Sequence, residues 1–215
     1  MNQEELQNLR QDYSAASLSE STIKSNPIKQ FDSWFNDAVT AEIHEPNAMS
    51  LATATTDGRP SVRIVLLKGF NDNGFMFYTN YLSRKGKEIN KNPFAAITFF
   101  WGELERQIRI EGTIEKLSKE ESEKYFQTRP KLSQLGALAS PQSQEIDGRE
   151  ILETKMSQLE VEYADKNVPK PSYWGGYILK PRLIEFWQGR RSRLHDRILY
   201  KKIDNKNWKK VRLAP

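Results

Sequence analysis

Residues Ala48 to Asn80 read AMSLATATTDGRPSVRIVLLKGFNDNGFMFYTN, and this stretch decides the fold. Met49, Leu51 and Thr53 alternate with small residues at the period of two that marks a half-buried strand. Asp57 and Gly58 supply a turn, Ser61 to Gly69 is a β-branched, leucine-rich run, and Asn71 to Gly74 turns again before Phe75 to Asn80. Connections this short cannot house a parallel crossover, so the three strands form an antiparallel meander.

On the C-terminal side, a short helix is expected over Ser83 to Asn90. Phe94 to Trp101 and Leu104 to Ile114 then make a second hairpin through Gly102. Ser118, Lys119, Glu120 and Glu121 form a capping box that opens a helix to about Thr128, followed by helices over Lys131 to Leu138 and Gly148 to Tyr163. Pro169 and Pro171 end the helical section, and Tyr173 to Leu179, Arg182 to Gln188, Leu194 to Lys201 and Trp208 to Leu213 read as strands. On the N-terminal side, Asn26 and Pro27 start an amphipathic helix with Ile28, Phe31, Trp34, Phe35, Ala38 and Val39 at helical spacing. The expectation is a mainly β fold with helices (α+β), an antiparallel, closed or partly closed barrel with helical decoration. A flexible N-terminal arm over 1–25 would precede a single domain over 26–215.

Composition narrows the function. With 215 residues, 37% hydrophobic and 28% charged, the chain has the make-up of a globular protein. Its longest aliphatic run, Ile64 to Leu67, is far short of the ~20 residues of a membrane span, and its start lacks a basic-then-apolar signal pattern. The expectation is a cytoplasmic protein with no membrane partner. The absence of cysteine removes disulfides, thiolate metal sites and a cysteine nucleophile, and two histidines are too few for a multi-histidine metal centre. Redox chemistry would therefore need a borrowed electron carrier. The net charge of +5 favours anionic ligands without demanding nucleic acid.

Arg63 and Lys68 bracket Ile64 to Leu67 in a strand that otherwise looks buried, where cations are rare unless paired. Strict alternation puts them on opposite faces unless a bulge intervenes; a salt bridge to a carboxylate is the plain alternative. Ser83, Arg84 and Lys85 place basic residues at the positive end of a helix dipole, which suits a docked phosphate, although exposed basic residues at helix starts are common. Tyr125, Arg129 and Ser133 recur every four residues, so two hydroxyls and a guanidinium could converge on another phosphate or simply form an exposed face. Arg193, His195 and Arg197 alternate along one expected strand and share a face, with Trp187 across the hairpin as an aromatic plate or a core residue. Gly69 to Gly74 has P-loop spacing, but Phe75 and Met76 replace the lysine and hydroxyl that bind phosphate and magnesium, so it reads as a turn.

These residues lie in segments that resemble the pyridoxamine 5'-phosphate oxidase family: RIVLLK (Arg63–Lys68), YTN (Tyr78–Asn80), SRK (Ser83–Lys85), ERQ (Glu105–Gln107), YFQTRP (Tyr125–Pro130), SPQS (Ser140–Ser143), IEFWQG (Ile184–Gly189) and RLHDR (Arg193–Arg197). The resemblance implies an antiparallel FMN-binding split β-barrel, assembled as a homodimer with FMN in clefts at the subunit interface. It assigns Arg63, Tyr78, Thr79, Arg84, Lys85, Gln142 and Ser143 to FMN, and Gln107, Trp187 and Arg197 to its ring system. It gives Lys68, Tyr125, Arg129 and Ser133 to the substrate phosphate, with Lys68 also beside the flavin. Arg193 and His195 would be the catalytic pair that orients the substrate, and Arg10 and Tyr13 the arm that folds over it. The implied reaction oxidises pyridoxamine 5'-phosphate or pyridoxine 5'-phosphate with O2. The turn Arg190, Arg191, Ser192 is more basic than the family pattern suggests. Two rivals are a non-catalytic flavin-binding split barrel, which has no use for Tyr125, Arg129 and Ser133, and a nucleic-acid-binding β-protein using Trp187 and Trp208.

Overall fold

Gly58 adopts a φ of +84°, a backbone conformation that side chains disfavour, and so lets strand β1 (Ala48–Ala54) turn back as β2 (Pro60–Leu66). The structure is a computed structural model that describes residues 2–9 and 12–215. The expected three-strand meander does not form, because among the described strands β2 bonds to β1 alone and the chain leaves it at Lys68 for a separate hairpin of β3 (Gly69–Asn71) and β4 (Gly74–Asn80). Then come β5 (Phe94–Trp101), β6 (Arg106–Lys116), β7 (Trp174–Gln188), β8 (Asp196–Lys202) and β9 (Trp208–Leu213). The hydrogen-bonded order is β2-β1-β5-β6-β7-β4-β3, with β8 on β7 and β9 on β8. The pairs β3–β4, β4–β7, β7–β8 and β8–β9 are antiparallel.

Three strand boundaries differ from the sequence expectation, each for a local reason. The two strands expected around Pro181 are one 15-residue strand, β7. It pairs with β4 as far as Leu179 and with β8 from Leu183, so the proline falls where the partner changes and interrupts neither register. The run from Ser61 ends as a strand at Leu66, because Leu67 turns into the core and the Lys68 N–H bonds to the Met76 carbonyl (2.8 Å). Strand β8 starts at Asp196, not Leu194, because Arg191–Arg193 form a 3-10 turn in which Ser192 and Arg193 take φ of 55° and 60°.

The chain divides into two compact units, each made of separated stretches. The first comprises Met1–Ser50, Ile97–Glu111 and Pro181–Pro215. It contains α1 (Gln3–Gln7) and α2 (Pro27–Thr40), whose first turn is capped by the Asn26 side chain and pre-set by Pro27. Ile28, Phe31, Trp34 and Ala38 bury one face of α2, with Phe31 5.2 Å from Phe99 and Trp34 edge-on to Phe186 at the same distance. Burying each large apolar side chain contributes roughly 1.5–3 kcal/mol. Leu18 and Ile23 of the arm are also buried in this unit.

The second unit comprises Leu51–Ala96 and Gly112–Lys180. It carries α3 (Arg84–Lys91), α4 (Lys119–Thr128), α5 (Lys131–Ala139) and α6 (Arg149–Glu162). The expected capping box is present: Ser118 accepts from the Glu121 N–H, and Glu121 accepts from the Ser118 N–H. Phe126, Leu135, Leu159, Val168 and Trp174 form the core under these helices. Among the described residues, no helix is long and apolar enough to cross a membrane, and no group of three or more His, Asp or Glu is placed to hold a metal ion.

Candidate active site

The second unit holds a cavity of about 730 Å³, within the range of small-molecule sites. β2 brings Arg63 to it and the bend beyond brings Lys68, so these two cations line one cavity instead of serving opposite faces. Alternation fails to separate them because the strand stops between them, at Leu66. β4 contributes Tyr78 and Thr79, the first turn of α3 Lys85, the last turn of α4 Tyr125, the junction with α5 Arg129, the first turn of α5 Ser133, and the following loop Gln142 and Ser143. Ser143 has a φ of 69°, the kind of local strain that gathers at functional sites.

Lys85 is only 9% exposed, and its ammonium donates to Gln142 Oε1 (3.1 Å), Thr79 Oγ1 (3.3 Å) and Ser83 Oγ (3.5 Å), all neutral oxygens. Burial, and then the positive field of Arg63, lower its pKa. Arg63 donates from Nη1 to the Leu51 carbonyl (3.1 Å) and Thr53 Oγ1 (2.6 Å), and from Nη2 to Ser61 Oγ and Glu88 Oε2 (3.4 Å). Its own pKa is lowered by burial, against the pull of Glu88. Glu88 is the residue that the sequence reading missed. Burial works to raise its pKa, but hydrogen bonds from Ser61, Thr53 and Arg84 prevail and hold it down to about 2. Arg84 does not line the cavity; its Nε pairs with Glu88 Oε1 at 2.9 Å.

Arg129 lies over the Trp174 ring at 4.7 Å, and its Nη1 is buried with no hydrogen-bond partner among the described residues. Burial lowers its pKa. Tyr78 and Tyr125 stack at 3.8 Å, and burial raises both phenols' pKa values, which keeps the hydroxyls protonated as donors.

The first unit gathers aromatic rings. Tyr13 meets Trp187 edge-on at 5.7 Å and His195 at 5.8 Å, and Trp187 lies 4.6 Å from His195. Gly189 permits this approach, since a Cβ there would stand 2.7 Å from the Tyr13 Cβ. Arg197, opposite Trp187 in the β7–β8 register, forks onto the buried Glu185 (Nε–Oε1 2.9 Å, Nη2–Oε2 3.0 Å), which raises its pKa. Gln107 is half-buried on β6. Arg193 is exposed on the 3-10 turn, and His195 precedes β8, so only Arg197 of that alternating trio lies on the strand. The shared face expected of the three is replaced by a turn. Arg10 lies outside the described residues.

An antiparallel sheet with a cation-lined cavity and inserted helices places the chain in the split-barrel class that flavin-binding proteins use. A crystal structure of a pyridoxamine 5'-phosphate oxidase-related, FMN-binding protein from Nostoc punctiforme shares this fold (TM-score 0.70, 18% identity, covering 88% of this chain and 97% of that one). The family model "Pyridoxamine 5'-phosphate oxidase" matches residues 35–162, and "Pyridoxine 5'-phosphate oxidase C-terminal dimerisation region" matches 174–215. Pyridoxine/pyridoxamine 5'-phosphate oxidases from Salinibacter ruber and Cupriavidus taiwanensis are 54% and 55% identical, each covering 98% of this chain and 99% of the relative. PhzG from Burkholderia lata, solved in complex with tetrahydrophenazine-1-carboxylic acid, has a TM-score of 0.87 at 33% identity over 94% of this chain and 100% of that one. The chain belongs to the pyridoxine/pyridoxamine 5'-phosphate oxidase family and is a flavin-dependent oxidoreductase.

Proposed function

We propose that the chain oxidises pyridoxamine 5'-phosphate, and pyridoxine 5'-phosphate, to pyridoxal 5'-phosphate with O2 as acceptor, releasing hydrogen peroxide and, from the amine, ammonia. FMN is the flavin in this reading, and the working form is a cytoplasmic homodimer in which 26–215 act as one functional domain. The observation that carries it is a pair of unbalanced cations in one cavity: Lys85 among neutral oxygens, and Arg129 with an orphaned buried nitrogen. A buried ammonium or guanidinium nitrogen without an anionic partner is costly, so a site that keeps one of each is suited to anions delivered by its ligands. FMN brings one phosphate and the substrate brings the second, and the donors present fit both.

Bound FMN supplies the hydride acceptor that no amino-acid side chain provides, with O2 as the final acceptor. The chain binds and orients. In this reading Arg63, Thr79, Lys85, Gln142 and Ser143 hold the FMN phosphate end with Tyr78 beside them, Arg84 adds charge at the helix start, and Gln107, Trp187 and Arg197 serve the ring system. Lys68, Tyr125, Arg129 and Ser133 hold the substrate phosphate, each charge-assisted bond contributing about 1.5–3 kcal/mol. Arg193 and His195 orient the substrate for hydride transfer, which needs close alignment, and Tyr13 with Arg10 covers it. The test is an absorption spectrum of the purified protein, followed by pyridoxamine 5'-phosphate without oxygen. A yellow protein that bleaches supports the reading; a yellow protein that keeps its colour overturns the substrate, and a colourless one that takes up no FMN overturns the cofactor.

A further inference from the structure

The carboxylate of Asp196 joins three chain segments and has no part in the chemistry above. Its Oδ2 accepts from the Leu18 N–H (3.0 Å) and from Arg190 Nη1 (3.1 Å), and its Oδ1 accepts from Arg212 Nη1 (2.9 Å). Arg212 also donates to both oxygens of Glu20 at 2.8 Å and from Nη2 to the Leu18 carbonyl at 3.1 Å. One ion pair therefore grips both main-chain polar groups of Leu18, whose side chain is buried.

Asp196 is the stronger anchor of the two acids, because its side chain is 17% exposed against 54% for Glu20, and exposed pairs contribute little. Burial opposes its ionisation, but the Leu18 N–H and Arg212 prevail and hold the carboxyl below the usual aspartate range.

On the other side of Asp196, the Arg190 N–H donates to His195 Nδ1 at 3.1 Å, so the neutral ring carries its proton on Nε2. The turn between them holds Ser192 and Arg193 in the left-handed region, a conformation that persists only when its surroundings over-determine it. The Arg190 side chain, tied to Asp196, supplies part of that constraint. Upstream of the Leu18 anchor, the Tyr13 ring lies against Trp187 and His195.

We propose that Asp196 is a positioning residue: by gripping Leu18, Arg190 and Arg212 together it places the Tyr13 ring of the arm and the His195 imidazole for one substrate. This rests on the assignment of Tyr13 and His195 to the substrate made above.

Steady-state kinetics with pyridoxamine 5'-phosphate and FMN titration on Asp196→Asn, His195→Ala and the double variant test it. Asparagine keeps the size and loses the charge that holds Arg190 and Arg212. kcat/KM is expected to fall on the order of 10- to 100-fold through misplacement, with the FMN dissociation constant unchanged. In the His195→Ala background the Asn substitution is expected to cost less, because the part of its effect that runs through the imidazole is already lost and only the part through Tyr13 remains. Should Asp196→Asn fail to fold, Arg190→Met cuts only the link to the turn, at a side chain already 42% exposed, and is expected to lower kcat/KM in the same direction. A damaged His195→Ala beside a parent-like Asp196→Asn, or beside a parent-like Arg190→Met where that variant stands in, overturns the positioning role, as do losses that simply multiply in the double variant. A parent-like His195→Ala overturns the assignment of His195 itself.

Discussion

In the unit that holds the cavity, Lys85 is buried among neutral oxygens and Arg129 keeps a nitrogen with no partner among the described residues. In the unit that holds the arm and the C-terminal strands, Arg197 is forked onto Glu185, Arg212 onto Glu20 and Asp196, Arg190 onto Asp196, and Arg106 onto Asp37. Charge in the second case is neutralised within the chain, and the surface left over is aromatic. In the first, Glu88 pairs Arg63 and Arg84, but Lys85 and Arg129 are left unbalanced. The cavity thus keeps two cations for which the described residues supply no carboxylate, while the arginines around the ring cluster are matched by the chain's own acids.

That contrast makes opposite predictions for removing a cation. Arg197→Met strands Glu185, whose side chain is 7% exposed, so apoprotein stability in urea is expected to fall by about 3 kcal/mol. Arg109, 3.6 Å away and 45% exposed, offsets little of this. Lys85→Met removes a buried charge that has no counter-ion, so the apoprotein is expected to become slightly more stable while FMN affinity drops by about 1.5–3 kcal/mol. Calorimetry and flavin titration read the two signs; a destabilised apoprotein would erase the contrast. Arg129→Ala is expected to raise the Michaelis constant for the phosphorylated substrate on the order of tenfold with FMN retained. Equal loss of both ligands would merge the two anion positions into one.

The last prediction concerns pH. Glu88 titrates at about 2 in the fold and near 4.5 unfolded, so its contribution is complete above the unfolded value and is lost as the pH falls through that interval. Denaturation midpoints of the parent and Glu88→Gln are expected to converge across that range on acidification. Parallel curves would mean that the carboxylate does not balance Arg63 and Arg84.

The helices were readable because their signals are local: Asn26–Pro27 and Ser118 with Glu121 mark starts by capping chemistry alone. Arg63, Tyr78, Thr79, Lys85, Tyr125, Arg129 and Ser133 were singled out as cations or hydroxyls in unusual places or by resemblance, and all line one cavity. Their counterparts were harder to see. Glu88 lies at an ordinary i,i+4 spacing from Arg84, and its tie to Thr53 and Ser61 spans distant residues. Glu185, an acid between Ile184 and Phe186, carried the same clue as Arg63: a charge in an apolar strand. The Arg193–His195 turn was misread as strand because alternation takes no account of left-handed residues, and neither Ser192 nor Arg193 announces one.

If the interior ammonium of Lys85 takes its counter-ion from flavin, as proposed, the stability of the polypeptide is tied to its flavin supply. Loading with flavin at a hundredfold excess over its dissociation constant adds about 2.7 kcal/mol to the native state. The thermal midpoint should therefore climb with the logarithm of added flavin, and cultures starved of riboflavin should yield less of the intact polypeptide.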